Sequence, residues 1–274
     1  MKKAFIVYEK TDALKNMAFI EQLIEAGKNY DLELQLALTN NFSVSELVAH
    51  CQNAQFVFYR ARNCDYVTSL EQANIPVVNS SHVNALANNK YMTLQFARTL
   101  GIPTVPLFTE PEQYEYPLVF KTVDGHGGAE VVLCQDNSDL CVCQKQYEDR
   151  LTLVQPYIES NATDVRVWVL GNQVIGAVKR QGKEDFRSNL TLGGSIERYE
   201  LNHLQLDHVH AMQNAIKSDY IGMDFLLLED GTWLLNEIED PVGARSFYDL
   251  YEEHLPDLLM KYLVGRYAYE SFIF

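Results

Sequence analysis

Cysteine is scarce, and what there is carries no framework. Five cysteines (Cys51, Cys64, Cys134, Cys141, Cys143) make an odd number. No signal-peptide pattern opens the chain, because the apolar run after the first lysines ends at Glu9 and Lys10. They therefore read as reduced thiols of a cytoplasmic protein rather than a disulfide scaffold. Cys141-Val-Cys143 has no second cysteine pair, so zinc-finger spacing is missing. No apolar stretch approaches the roughly 20 residues that cross a bilayer. Positive charge is in short supply: 22 Lys and Arg face 37 Asp and Glu, a net charge of -15. Nucleic acid and anionic membranes both need a basic footprint, so neither is expected as a partner. There is no internal repeat, no low-complexity segment, no P-loop, no dinucleotide fingerprint and no nucleophile motif.

A chain of 274 residues with 47% hydrophobic and 22% charged content can build a sizeable core and two or three subdomains. Residues 3–8 and 31–38 read as strands, and residues 13–29 carry apolar side chains at helical spacing. A serine-capped helix (SVSELVAHC), a buried strand (QFVFYR) and the short piece NIPVVN complete a β-α-β-α-β rhythm. That rhythm predicts a small parallel sheet over residues 1–85. Residues 84–100 read as one helix, stopped at Gly101-Ile102-Pro103. Beyond it the chain turns β-rich: YPLVFKTV, AEVVLCQ, LTLVQPYI, DVRVWVL and QVIGAVKR, the last two joined as a hairpin at Leu170-Gly171-Asn172. Residues 203–219 read as helical, MDFLLLED and TWLLNEIE as a hairpin around Asp230-Gly231, and 246–268 as a helical C-terminal segment.

Three groups of residues carry chemistry. Lys121 ends a strand just before Asp124-Gly125-His126-Gly127-Gly128, where glycines let backbone amides approach a phosphate; a hairpin turn with a surface lysine is the plain alternative. Gln155, Pro156, Tyr157 and Ile158 lie where proline breaks a strand and frees backbone groups that can read an adenine edge, though an edge strand ended by proline gives the same pattern. Asp164 and Arg166 share a strand face, Arg180 ends the partner strand, and Arg187, Ser188 and Asn189 precede Gly193-Gly194. So many arginines near one hairpin in an acidic chain point to a bound carboxylate or phosphate, with surface ion pairs as the alternative. Asp224 lies opposite Glu237 on a returning strand, and Glu237 and Glu239 share a face. Carboxylates on apolar strands suit Mg²⁺ held together with substrate phosphates; a salt-bridge network with the arginines is the competing account.

In their order, Lys90, Lys121 with DGHGGAEVV, VQPYI, the stretch Asp164–Asn189, the glycine pair, MDFLLLEDG and NEIEDPVG resemble an ATP-grasp ligase of the RimK-type, glutamate ligase-like or glutathione synthetase-like group. The resemblance covers about residues 84–246. It implies an α/β (α+β) ATP-grasp fold with two α+β subdomains clasping ATP, preceded by a βα domain over 1–85. The ATP-grasp domain would run over 86–274, with a lid subdomain at about 101–155 and a central and C-terminal subdomain at about 156–274. It implies that Lys90 and Lys121 contact ATP phosphates beside Gly127 and Gly128. Gln155, Pro156, Tyr157 and Ile158 form the adenine hinge, and Asp164 lies near the ribose. Arg187, Ser188 and Asn189 line the reaction centre, Arg180 stabilises an acyl-phosphate, and Asp224, Glu237 and Glu239 hold two Mg²⁺ ions, with Mn²⁺ as an alternative. Two positions depart from the group: Glu239 stands where asparagine is usual, and Pro156 where a glutamate is common.

The expectation is an ATP-dependent carboxylate–amine ligase that forms an amide through an acyl-phosphate and releases ADP and phosphate. Its substrate is an amino acid, a peptide or a protein tail. A catalytically inactive ATP-binding regulatory or scaffolding protein is the second reading. The helical C-terminal segment and the apolar tail Ser271–Phe274 suggest homo-oligomer contacts.

Overall fold

The computed structural model describes residues 2–128, 130–183 and 194–268. The first sheet is parallel, with β1 (Lys2–Tyr8), β2 (Leu32–Leu38), β3 (Val57–Tyr59) and β4 (Val77–Val78) in the order β2-β1-β3-β4. Residues 4–8 of β1 are buried on both faces, which is why this strand reads as an unbroken apolar run. Ala4, Ile6 and Tyr8 point one way with Phe56 and Phe58; Phe5 and Val7 point the other way with Val57 and Tyr59. Helices α1 (Lys10–Lys15), α2 (Met17–Lys28), α3 (Val44–His50) and α4 (Cys64–Gln72) join these strands. Ser43 and Glu46 cap α3 reciprocally.

The expected helix over 13–29 is two helices. The break falls at Asn16, whose backbone leaves helical angles (φ -115, ψ 17) and whose side chain donates to the Asp12 carbonyl at 2.7 Å, a bond to the carbonyl of its own preceding turn. The expected helix over 84–100 is likewise split, into α5 (Ser81–Ala87) and α6 (Lys90–Thr99). Asn88 donates to the Asn84 carbonyl at 2.9 Å and to the Asp240 carbonyl at 2.8 Å. Asn89 then caps α6 by accepting from the Met92 amide at 2.9 Å. The break places Lys90 on the first turn of a helix rather than in its middle.

A three-stranded antiparallel sheet follows: β5 (Leu118–Thr122), β6 (Val131–Cys134) and β7 (Thr152–Pro156), ordered β6-β5-β7. It is backed by α7 (Asn137–Gln146), whose Leu140 and Cys143 pack on Leu118 and Phe120. The largest sheet comprises β8 (Thr163–Leu170), β9 (Gln173–Gln181), β10 (Ser195–Arg198), β11 (Tyr220–Leu227) and β12 (Trp233–Glu239), ordered β10-β9-β8-β11-β12 and antiparallel throughout. One face packs on α8 (His203–Ile216) through Val209, Met212 and Ile216. The C-terminal segment, expected as one helix, is α9 (Arg245–Leu250) and α10 (Leu255–Leu263). Pro256 cannot continue a helix but fits the first turn of a new one. Helix α10 packs on α2, and its Leu259 and Leu263 join the hydrophobic cluster that includes Ile20 and Leu23 of α2 and one face of the first sheet. The tail Ser271–Phe274 lies outside the described residues.

Asn79, after β4, joins the first and largest sheets. Its amide donates to the Tyr220 carbonyl at 2.7 Å and to Asp240 Oδ1 at 3.0 Å, and its carbonyl oxygen accepts from the Asp219 and Tyr220 amides at 2.6 and 3.0 Å. All of this is buried. Asn79→Ala leaves these groups unsatisfied and is expected to lower stability by about 3 kcal/mol, read by urea denaturation; a loss below about 0.5 kcal/mol would mean the two sheets do not depend on this residue.

Candidate functional site

Strand register sets the central geometry. Asp164 on β8 faces Arg180 on β9, Arg166 on β8 faces Asp224 on β11, and Asp224 faces Glu237 on β12. Cross-strand neighbours on one face meet directly. Arg180 holds Asp164 in a forked pair, Nε to Oδ1 at 2.7 Å and Nη2 to Oδ2 at 2.5 Å, and reaches Asp224 Oδ2 at 2.8 Å. Arg166 grips the same Asp224 carboxylate with Nε at 2.8 Å and Nη2 at 2.6 Å. Its Nη2 is also 2.5 Å from Glu239 Oε1. The result is a continuous ladder, Asp164–Arg180–Asp224–Arg166–Glu239.

Burial sharpens these interactions. Asp164, Arg180 and Asp224 are all buried. Burial alone pushes the Asp224 carboxyl upward, but Arg166 and Arg180 pull it down harder and hold it at about 2. Glu239 goes the other way: burial, with Asp224 and Glu237 adding repulsion, outweighs Arg166 and lifts it to about 7. One oxygen from each of Asp224, Glu237 and Glu239 lies within 4.8 Å of the others. Three carboxylate oxygens this close form a donor set for a hard divalent cation such as Mg²⁺ or Mn²⁺. Both oxygens of Asp224 already accept hydrogen bonds from arginine, so Glu237 and Glu239 are the more available pair.

Facing the carboxylates are two lysines. Lys121 on β5 donates to Asn236 Oδ1 at 2.7 Å. Burial lowers its ammonium to about 8, with Glu237 opposing and Lys90 adding to the fall. Lys90, on the first turn of α6, donates to the Gly125 carbonyl and lies 3.6 Å from Glu237. The turn between the lysines carries Gly127 and Gly128 at φ 68 and 73. A Cβ at Gly127 would meet nothing within 4 Å, so glycine serves the left-handed backbone there rather than any lack of space.

A cavity of about 110 Å³ collects these groups. Lys90, Lys121, Gly127, Gly128, Gln155, Pro156, Tyr157, Ile158 and Asp164 line it, together with Arg180, Asp224, Glu237 and Glu239. Of the described residues singled out from sequence as binding nucleotide, metal or the transferred phosphoryl group, all line it, whereas Arg166 lines the adjoining cavity. Arg187, Ser188 and Asn189 lie outside them. Gln155 is buried with its amide 3.5 Å from the Val105 carbonyl. A second cavity of about 330 Å³ adjoins the first and shares Lys90, His126, Arg180, Glu237 and Glu239 with it. Its far wall comes from the first sheet and α1–α2, through Tyr8, Asn16, Arg60 and Arg62.

A family model described as RimK-like ATP-grasp domain matches residues 82–252. The chain belongs to the RimK-like ATP-grasp family. Its fold is the ATP-grasp fold, as in the ATP-grasp ligase PsnB complexed with a minimal precursor, which aligns at a TM-score of 0.72 and 20% identity over 97% of this chain and 99% of that one. The uncharacterized protein MG011 homolog of Mycoplasma pneumoniae is 25% identical over 95% of this chain and 92% of its own length. The probable alpha-L-glutamate ligase 1 of a Shewanella species is 31% identical over 71% of this chain and 68% of its own length. The ATP-grasp ligase PsnB has also been solved with Mg and ADP, and aligns with this chain at a TM-score of 0.69 and 17% identity over 97% of this chain and 98% of that one. No helix among the described residues of this RimK-like chain is long and apolar enough to cross a membrane.

The sequence reading did not single out Tyr8, Asn16, Arg60 and Arg62 of the second cavity, or Asn236 as the partner of Lys121. Arg60 did carry a signal. It follows a buried parallel strand, and ligands of open α/β sheets collect at the carboxyl ends of such strands.

Because Glu239 sits at about 7 against an ordinary 4.5, ionising it works against folding as pH rises through that window. Glu239→Gln removes this penalty. In metal-free buffer its melting temperature should gain on wild type from pH 5 to pH 8; a gap that narrows over that range would show Glu239 to be a stabilising anion instead.

Proposed function

We propose that this chain is an ATP-dependent carboxylate–amine ligase working through an acyl-phosphate. The supporting observation is the placement of two lysines and a glycine turn on one wall of a cavity and three clustered carboxylates on the other, with a larger cavity alongside. In this reading residues 1–85 form the domain preceding the ATP-grasp domain of 86–274, whose lid spans about 101–155. The adenine lies against Gln155–Ile158 and the ribose near Asp164. Lys90, Lys121 and the amides around Gly127 and Gly128 bind the phosphates.

Asp224, Glu237 and Glu239 would hold Mg²⁺, with a second ion and Mn²⁺ as the fuller form of the same reading. When bound, the cations neutralise the phosphates and orient the γ-phosphoryl group. A substrate carboxylate oxygen attacks the γ-phosphorus, the bond to the β–γ bridging oxygen breaks, and ADP leaves. An amine nitrogen then attacks the acyl carbon, gives up a proton and displaces phosphate, forming the amide. Arg180, which lines both cavities, stabilises negative charge on the transferred phosphoryl group. Its own position is fixed by Asp164 and Asp224, so the ladder preorganises the charge instead of assembling it during the reaction. Arg187 and Asn189 are assigned to the same reaction centre, with Ser188 on the nucleotide. The acceptor or donor is an amino acid, a peptide or a protein tail, in keeping with the names of the relatives.

ADP release should be stimulated by a pool of amino acids or short acidic peptides in the presence of Mg²⁺. Glu237→Ala should lower that rate by about 100-fold or more; an unchanged rate would remove Glu237 from the metal assignment. Nucleotide binding near pH 8 should take up a proton, because phosphates raise a Lys121 that sits at about 8 in the free protein. Affinity should accordingly fall as pH rises through 8. Calorimetry in two buffers of different ionisation enthalpy measures the uptake, and Lys121→Met should abolish it; equal uptake in the variant would assign the proton to another group.

A further inference from the structure

The larger cavity is lined at one end by Arg60, a guanidinium to which the proposed nucleotide assignment gives no role. The parallel sheet is ordered β2-β1-β3-β4, so the chain leaves β1 toward one edge and resumes at β3 on the other side. That switch point opens a crevice at the carboxyl ends of β1 and β3. Tyr8, the last residue of β1, and Arg60, the first after β3, both line the cavity there.

Arg60 is 4% exposed, with the rings of Tyr8, Phe19, Phe58 and Tyr220 at 5.2–5.9 Å. Its Nε donates to the Tyr8 hydroxyl at 3.2 Å and its Nη2 to the Val242 carbonyl at 2.7 Å. Nη1 has no partner among the described residues, and neither has the Tyr220 hydroxyl. None of the ion pairs among the described residues includes Arg60, whereas Arg62 is paired with Asp12 at 2.7 Å. Asp240 contributes charge nearby, but its two carboxylate oxygens accept from Asn79 at 3.0 Å and Asn84 at 3.3 Å. A buried guanidinium with only neutral acceptors and a spare donor is expensive unless an anion joins it. Its forked geometry suits a carboxylate.

We propose that Arg60 binds the non-reacting carboxylate of an amino-acid substrate, fixing it at the switch point while its reacting group extends toward Arg180 and Glu239. The assignment rests on the ligase reading for the reaction, but the binding itself can be read without turnover.

The test uses the full chain saturated with ADP and Mg²⁺. Each of the common L-amino acids is titrated beside its α-carboxamide, for wild type, Arg60→Gln and Arg60→Lys. Wild type should bind at least one acid roughly tenfold or more tightly than its amide, Arg60→Gln should erase that preference, and Arg60→Lys, which keeps the charge but not the fork, should lose most of it. If Arg60→Gln does not fold, Arg60→Lys decides by the same criterion. An acid-over-amide preference that survives in the variants, or no such preference in wild type, overturns the proposal. A parallel ADP-release assay on wild type separates the two readings: no turnover together with an Arg60-dependent preference defeats the ligase and leaves the carboxylate site standing, whereas turnover without that dependence does the opposite.

Discussion

Five charged side chains from four neighbouring strands, Asp164, Arg180, Asp224, Arg166 and Glu239, form one ladder of hydrogen bonds and ion pairs that fixes the charges at the centre of the cleft. Asp164–Arg180 and Arg166–Asp224 join adjacent strands, whereas Arg180–Asp224 and Arg166–Glu239 each reach across an intervening strand, so the antiparallel register of β9, β8, β11 and β12 decides which charges meet. A slip of one residue would turn all of these side chains to the apolar face against α8. Removing one partner of such a buried pair typically costs about 3–5 kcal/mol, because the other charge is left without compensation. A buried ladder of this kind is weak as a stabilising device and strong as a positioning one.

The ladder is unequal along its length, and the inequality has chemical consequences. Asp224 is gripped by two arginines and stays ionised, whereas Glu239, at the end, is paired directly with Arg166 alone among the described residues and is repelled by two carboxylate neighbours. Negative charge is thus in excess on the β12 side, where Glu237 and Glu239 lie. Beside them the cavity carries positive charge at Lys90, 3.6 Å from Glu237, and at Lys121. In the proposed reading a polyphosphate with its divalent cations would complement both sets of charges at once.

Much of this was legible in the sequence because strands announce their faces. The two-residue spacing of Asp164 and Arg166, and of Glu237 and Glu239, fixes which side chains share a face, and the hairpin turns fix which strands pair. The Asp224–Glu237 juxtaposition follows from those two facts alone, and the structure has it. Metal binding and salt bridging, set against each other as accounts of the carboxylates, are not alternatives in the geometry: Asp224 is salt-bridged and still lies beside Glu237 and Glu239. The helix breaks at Asn16 and at Asn88-Asn89 were not legible. Asparagine is compatible with a helix interior until its amide finds a carbonyl of its own turn or, for Asn88, one on the distant Asp240 loop. Arg60 was missed for a related reason: its environment is assembled from Tyr8, Tyr220 and Val242, which are far apart in sequence.

In the proposed reading Asp224, Glu237 and Glu239 would hold a divalent cation beside a bound nucleotide. Titration calorimetry of ADP into the wild-type protein, in Mg²⁺ and again in excess chelator, tests it most directly. The account predicts affinity at least about tenfold higher with Mg²⁺. Equal affinities in the two buffers would contradict it, leaving Asp224, Glu237 and Glu239 as partners of the arginines and lysines alone.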